Sequence, residues 1–296
     1  MKGLILTNAY YCDKEYLYQA ERLQEEFGKR NVPVDIFRNE DFRLRIEKGK
    51  IVSDYNNYDF CVFWDKDKYV LNMLGKMNIR LFNSVSAIEK CDDKMTTYIE
   101  LTGCGVPMPD TMPGLLCFDR KAVVEEKTVR MVEERFGYPL IAKQSFGSRG
   151  KEVYLVNDRE ELRVRMEQMK CLPHLFQKYI GSSYGKDLRI IVVGNEVVGG
   201  MLRQSEGDFR SNICAGGAGK PYPVDDTLKI LALKIKGVLG LDYCGIDVLF
   251  GEDGPVVCEV NSNAFFCEFE RATGINVAGK YADHILESLS PLDVIK

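Results

Sequence analysis

The sequence predicts an α/β protein built as two or three modest lobes, and three observations carry that reading. Over residues 1–90, short apolar runs alternate with an amphipathic helical stretch, as in a β/α chain. In the middle of the chain, a glycine-bearing loop joins two strand-like runs. The last third holds two hairpins whose turns read as Gly194-Asn195 and Gly251-Glu252-Asp253-Gly254-Pro255. A length of 296 residues exceeds one small core and suits such a division.

Gly3–Thr7 is a short apolar strand, and the stretch Asp13–Lys29 places Tyr16, Ala20, Leu23 and Phe27 on one helical face. Val34–Phe37 and Phe60–Trp64 are further strands, the second apolar enough for a parallel sheet. Leu81-Phe82-Asn83 closes this unit near Ser84. The pattern is Rossmann-like. The loop after the first strand, Asn8-Ala9-Tyr10-Tyr11, has no glycine, so a structural scaffold is expected there and not a dinucleotide site.

A helix over Lys94–Leu101 and turns at Gly103, Gly105, Pro107 and Pro109 lead into the middle unit. There a strand (Pro139–Lys143), a loop (Ser145–Lys151) and a return strand (Glu152–Val156) precede a helix over Asp158–Cys171. A capping box, Asp158 with Glu161, opens that helix, and a strand at Leu175–Ile180 follows. The third unit pairs Asp187–Val193 with Glu196–Arg203 and Cys244–Phe250 with Val256–Asn261. Between them lies helix Asp226–Leu239, ended by Gly240. The expected domains are 1–90, 91–180 and 181–296.

Composition narrows the function. With 45% hydrophobic and 28% charged residues and a net charge of −4, the chain reads as an ordinary globular protein without a nucleic-acid or membrane partner. The opening Met1–Thr7 is too short an apolar run for a signal peptide, and no stretch approaches the ~20 residues that span a bilayer. Ten cysteines contain no C-x-x-C pair and read as reduced thiols, so a cytoplasmic location is expected. His174 and His284 stand far apart, which argues against a zinc site or a Ser/His/Asp triad. A homo-oligomer remains open.

The most informative segment is the last hairpin. With Glu252-Asp253-Gly254 as a three-residue loop and Gly254 left-handed, Gly251 pairs with Pro255 and Asp247 falls opposite Glu259. Alternation puts Asn261 on the same face. Opposed carboxylates repel, and a cation between them resolves the repulsion. Oxygen-only ligands suit Mg²⁺ or Mn²⁺. On this reading, the metal-free fold survives neutralisation of either acid or even gains stability from it. A solvent-facing polar face is the plain alternative.

The run Ile141–Lys151 is not a P-loop, since Gly150-Lys151 is followed by Glu152 and a strand. Ser145, Gly147, Ser148, Arg149 and Gly150 still make a loop able to fold over phosphates. Lys143, just before it, and Lys94 are candidate phosphate contacts, though either alone reads more readily as a surface charge.

The order of these features is specific: a lysine, a lysine with glycine loop, Gln177-Lys178-Tyr179-Ile180, then the acidic hairpin. So are Asp187-Leu188-Arg189, Gly207-Asp208-Phe209-Arg210-Ser211-Asn212 with Gly216-Gly217, Gly245-Ile246-Asp247-Val248, Glu259-Val260-Asn261 and Thr273–Gly279. Together they resemble the RimK-type branch of the ATP-grasp superfamily, which includes ribosomal-protein glutamate ligases, over residues 80–290. The resemblance implies an ATP-grasp fold behind a Rossmann-like pre-ATP-grasp domain. It implies an ADP-forming ligase that activates a carboxylate as an acyl phosphate and joins it to an amine. The expected donor is an amino acid such as glutamate, and the acceptor a small molecule or peptide.

By the same resemblance, ATP and two Mg²⁺ ions (or Mn²⁺) are the cofactors. Asp247, Glu259 and Asn261 carry the metals, while Lys94, Lys143 and the glycine loop contact phosphate. Gln177, Lys178, Tyr179 and Ile180 receive adenine, with Asp187 and Arg189 on the nucleotide side, and Arg210 and Asn212 serve phosphate and the reacting carboxylate. Two departures stand out. Lys178 replaces the family's usual acidic residue, and Ser262-Asn263-Ala264-Phe265-Phe266 replaces a Ser-Pro-Gly turn. Substrate choice is therefore expected in Arg203, Arg210, Asn212 and Asn263–Phe266, with Arg203 offering its fork to a substrate carboxylate. A phosphotransferase and a nucleotide-binding module without turnover remain alternatives.

Overall fold

The computed structural model describes residues 1–11, 13–55, 57–147, 150–211 and 218–290. In the first sheet, β1 (Gly3–Thr7) pairs in parallel with both β2 (Val34–Arg38) and β5 (Phe60–Trp64), and β6 (Arg80–Phe82) joins β5. β3 (Arg45–Glu47) and β4 (Lys50–Val52) form a separate hairpin. Every residue of β1 and β5 is buried, as in a parallel sheet covered on both faces. Helix α1 (Lys14–Lys29) starts where Asp13 accepts from the Glu15 N–H, and it buries the expected apolar face together with Gln19 and Glu26. Short helices α2 (Asn39–Phe42) and α3 (Lys68–Leu74) complete this region. Beyond β6, the buried Asn83 amide donates to the Tyr243 and Ser262 carbonyls and accepts from the Asp242 and Tyr243 N–H groups, stitching the first sheet to the third.

Helices α4 (Val85–Asp92) and α5 (Lys94–Leu101) lead to an antiparallel sheet. Its strands are β7 (Thr111–Pro113), β8 (Leu140–Gln144), β9 (Val153–Val156) and β10 (His174–Lys178), in the order β7-β10-β8-β9. Helices α6 (Glu126–Phe136) and α7 (Arg159–Met169) share a core with it. The capping box is displaced by one residue. Asp158 accepts from the Glu161 N–H, but the Glu161 carboxylate takes the Asn157 N–H at 2.8 Å. Strand β10 stops at Lys178, two residues short of the expected end.

The third sheet is antiparallel. It runs β13 (Ala218–Tyr222), β12 (Glu196–Gln204), β11 (Lys186–Val193), β14 (Tyr243–Gly251) and β15 (Gly254–Asn261). Leu188, Ile190 and Val192 face a core shared with α8 (Asp226–Leu239). The opposite parity carries Asp187 and Arg189, then Ile191 and Val193 under α9 (Cys267–Thr273) and α10 (Val277–Leu289).

The β14–β15 register corrects the sequence reading in detail while keeping its outcome. Gly251 pairs with Gly254, so the loop is one residue shorter than expected, and a bulge between Asp247 and Val248 restores the Asp247–Glu259 pairing. The bulge has a second effect. Val257 and Glu259 share parity, and Val257 is buried in the α8-side core, so a regular strand would drive the Glu259 carboxylate into that core. The extra residue, Cys258, turns Glu259 to the other face. Its carbonyl accepts from the Tyr98 hydroxyl, which supplies the partner that the bulged position needs.

Candidate active site

The three sheets enclose a cleft with a cavity volume of about 510 Å³. Lys94 opens α5 behind its cap Asp93; its Nζ donates to the Gly147 carbonyl at 3.0 Å and lies 3.3 Å from Glu259 Oε1. Lys143, on β8, is 3% exposed, and its Nζ donates to the Tyr98 hydroxyl at 3.2 Å. Because that hydroxyl gives its proton to Cys258, its lone pair is left for the lysine. A phenol oxygen does not neutralise an ammonium, and a charge this buried is costly unless paired. An anion in the cleft beside Lys143 would offset that cost.

Across the third sheet, side chains on adjacent strands form an alternating charge row. Arg203 on β12 donates through Nε to Asp187 Oδ1 at 2.7 Å, and its Nη2 also reaches Asp187 Oδ2 and, at 3.0 Å, Asp247 Oδ2. Arg189 grips Asp247 with Nε at 2.8 Å and Nη2 at 2.7 Å. Burial pushes the Asp247 carboxyl up, but the two guanidinium groups outweigh it and hold the acid below its ordinary range.

Two expectations change here. The Asp247–Glu259 repulsion is already relieved, by arginine on one acid and Lys94 on the other, so removing Asp247 strands cations instead of easing strain. Arg203 lines the cleft, yet its fork is occupied by Asp187 and Asp247 and is not offered to a substrate carboxylate.

Among the described residues, no three His, Cys, Asp or Glu side chains gather as a metal cluster. The third oxygen here is the amide of Asn261, whose Nδ2 lies 3.4 Å from Asp247 Oδ2 and whose flip would present oxygen instead. Two carboxylates and an amide, all facing the cleft, make a donor set that fits a hard divalent cation.

The remaining expected residues distribute unevenly. Gly147, Gly150, Gln177, Lys178, Tyr179, Ile180 and Arg210 line the cleft. Arg210 pairs with Asp208 and donates through Nη1 to the Gly150 carbonyl at 2.7 Å, tying its loop to the glycine loop. Ser145 does not line the cleft. It is buried beside it, its N–H donating to Pro173 and its carbonyl accepting from Lys94 N, both backbone contacts. Ser148, Arg149, Asn212, Gly216 and Gly217 lie outside the described residues. The Asn263–Phe266 segment divides: Asn263 and Phe265 face the cleft, whereas Phe266 is fully buried against Trp64, Tyr18 and Tyr243.

The sequence reading missed one wall. Asn8, Tyr11, Glu15, Tyr16, Gln19, Asp65 and Lys66 all line the same cleft, so the region of the first sheet and α1 is more than a scaffold. Asn8 and Asp65 follow the carboxyl ends of β1 and β5, where open α/β sheets place ligands. That rule was the available signal, and the absence of glycines masked it. The Asp65 carboxylate accepts from the side chains of Asn8 (2.8 Å) and Asn39 (2.6 Å), and its carbonyl accepts from Asn263 (3.1 Å).

Comparison with known proteins agrees with this architecture. The RimK-like ATP-grasp domain family matches residues 87–285. Human N-acetylaspartylglutamate synthase A is 40% identical over 228 residues, 76% of this chain and 57% of that protein. Mouse beta-citrylglutamate synthase B is 41% identical over 291 residues, 93% of this chain and 73% of that one. The chain spans 55–58% of the length of the first curated relatives it matches. The crystal structure of D-cycloserine synthetase DcsG superimposes with a TM-score of 0.76 at 15% identity, covering 98% of this chain and all of that one, a likeness of fold. With two-thirds of its length inside the family match and 41% identity to a relative across nearly all of it, the chain belongs to the RimK-like ATP-grasp family.

Proposed function

We propose that the chain is an ADP-forming ligase that joins a carboxylate to the amino group of an amino acid. The observation that carries this is the cleft itself, where Lys143, which has no ion pair among the described residues, and Lys94 stand beside the oxygen set Asp247, Glu259 and Asn261. Lys94 and Lys143 bind the phosphates of ATP, with the glycine loop and Arg210 covering them. Gln177–Ile180 receive the adenine. Asp247, Glu259 and Asn261 hold Mg²⁺, two ions on this reading, which neutralises phosphate charge when bound. Residues 1–90, 91–180 and 181–296 serve as three units around that site.

A carboxylate oxygen attacks the γ-phosphorus and the bond to ADP breaks. The amine, once its ammonium form has lost a proton to solvent, attacks the acyl carbon of the resulting acyl phosphate; inorganic phosphate leaves with the electron pair and takes up the proton that the amide nitrogen sheds. The covering loop keeps water from that intermediate. The names of the two relatives describe amides in which the nitrogen of glutamate carries the acyl group. Carried to this chain, glutamate is the amine and a polycarboxylate of the N-acetylaspartate or citrate type is activated. That reverses the donor role expected for the amino acid.

The test is phosphate release with MgATP, L-glutamate and either N-acetylaspartate or citrate, with products weighed by mass spectrometry. ADP, phosphate and an amide are expected, and hydroxylamine in place of glutamate should yield a hydroxamate. AMP and pyrophosphate overturn the reading, and a stable phosphorylated product replaces it with phosphotransfer. A further expectation follows from Lys143. Lys143→Ala should weaken equilibrium ATP binding by roughly ten- to a hundredfold, the range for a lost charge-assisted hydrogen bond of about 1.5–3 kcal/mol. Unchanged affinity would make Lys143 a structural charge.

A further inference from the structure

The wall contributed by α1 differs chemically from the rest of the cleft. On the opposite side Lys94, Arg189 and Arg203 are ion-paired with Glu259, Asp247 and Asp187, and Lys143 has no ion pair among the described residues, so Lys143 is the cation there left to meet phosphate. The α1 side presents Glu15 and Gln19, one helical turn apart, with Glu268 nearby. Lys66 on this side is paired with Asp92 at 3.4 Å, and Glu268 with Arg271. Glu15 is half-buried and has no ion pair among the described residues.

Gln19 is the more informative of the two. It is 1% exposed. Its Oε1 accepts from the Phe266 N–H at 2.9 Å, a donor that fixes the amide orientation, because Nε2 cannot accept. Nε2 is then left buried with no hydrogen-bond partner among the described residues. An unsatisfied amide donor of this kind is costly and rare in a core. Gln19 does not sit in a closed core, however; it lines the cleft.

We infer that Gln19 and Glu15 form the subsite for the amine substrate, and this rests on the ligase reading above. The Gln19 Nε2–H₂ donates to a carboxylate oxygen of the incoming amino acid, and the Glu15 carboxylate draws its ammonium. The pair thus recognises a zwitterionic head group and disfavours a lone anion, which Glu15 repels. Phe265, 6.0 Å from the Tyr16 ring, lines the same end of the cleft.

The experiment uses the full chain with MgATP, citrate or N-acetylaspartate, and L-glutamate as the amine, and reads KM for each substrate separately. Gln19→Glu keeps an oxygen for the Phe266 N–H and removes the donor. It should raise the KM for glutamate at least about tenfold while that for ATP moves less than about twofold. Glu15→Gln, on a half-exposed helical position, tests the same subsite should Gln19→Glu fail to fold, and is expected to raise the same KM. Folded variants with an unaltered glutamate KM overturn the inference alone. A wild-type chain that releases no phosphate with either pair overturns the ligase reading and this inference with it.

Discussion

Asp247→Asn is expected to lower turnover at least about a hundredfold, the scale for loss of a metal clamp, and also to destabilise the metal-free protein. The second effect follows from the charge row. Asp247 is 4% exposed and is gripped by Arg189 and, through one nitrogen, by Arg203. Removing the carboxylate leaves the buried guanidinium groups undercompensated, which typically costs about 3–5 kcal/mol. An asparagine that retains one hydrogen bond should fall near the lower end. Urea unfolding in EDTA measures this directly. Glu259→Gln is the contrast, since Glu259 is more exposed and its ion pair is with Lys94. It should lose activity comparably but cost less stability than Asp247→Asn, because Glu259 is partly exposed and a glutamine oxygen can still accept from the buried Lys94. A metal-free Asp247→Asn as stable as wild type would show that the arginines contribute nothing through this acid.

The second large effect is expected at Glu26, far from the chemistry. It is 2% exposed on α1 and accepts from Arg22 (3.0 Å), Lys29 (2.9 Å), Arg30 (2.8 Å) and the Asn276 amide (3.0 Å). Arg30 also pairs with Asp283 on α10, and Tyr18 donates to Glu270 on α9, so the network ties α1 to α9 and α10. Burial pushes the Glu26 carboxyl up, but hydrogen bonds from Lys29, Arg30, Arg22 and Asn276 prevail and bring it down to about 2.

A depressed folded-state pKa means the stabilisation is fully present above the ordinary glutamate value and is lost as pH falls through that window towards 2. Glu26→Gln should therefore cost about 2–3 kcal/mol at pH 7. Its thermal midpoint should also fall less between pH 4.5 and pH 2 than that of wild type. Parallel pH profiles for the two proteins would remove Glu26 from this role. Gln19 lies on the same helix, so loosening this anchor should also blur selection among amines.

Much of the fold is legible from local pattern. Gly3–Thr7, Phe60–Trp64, Lys94–Leu101 and Asp226–Leu239 fall where periodicity and caps place them, because each has its own start or stop signal. The pairing of Asp247 with Glu259 is also read correctly, but through two offsetting errors, a loop counted one residue long and an unseen bulge. A bulge has no reliable local signature here. It is selected by burial of Val257 on one face and by the Tyr98 hydroxyl arriving from α5, 160 residues away in sequence.

The chain alone determined which residue types could meet phosphate and metal. Only the tertiary structure decided which charges cancel. Arg203 looks free in sequence and is spent on Asp187 and Asp247, and the wall of Asn8, Glu15, Gln19 and Asp65 exists only because the first sheet docks on the third. Coulomb and desolvation energies depend on distance and burial, and neither is set by order along the chain.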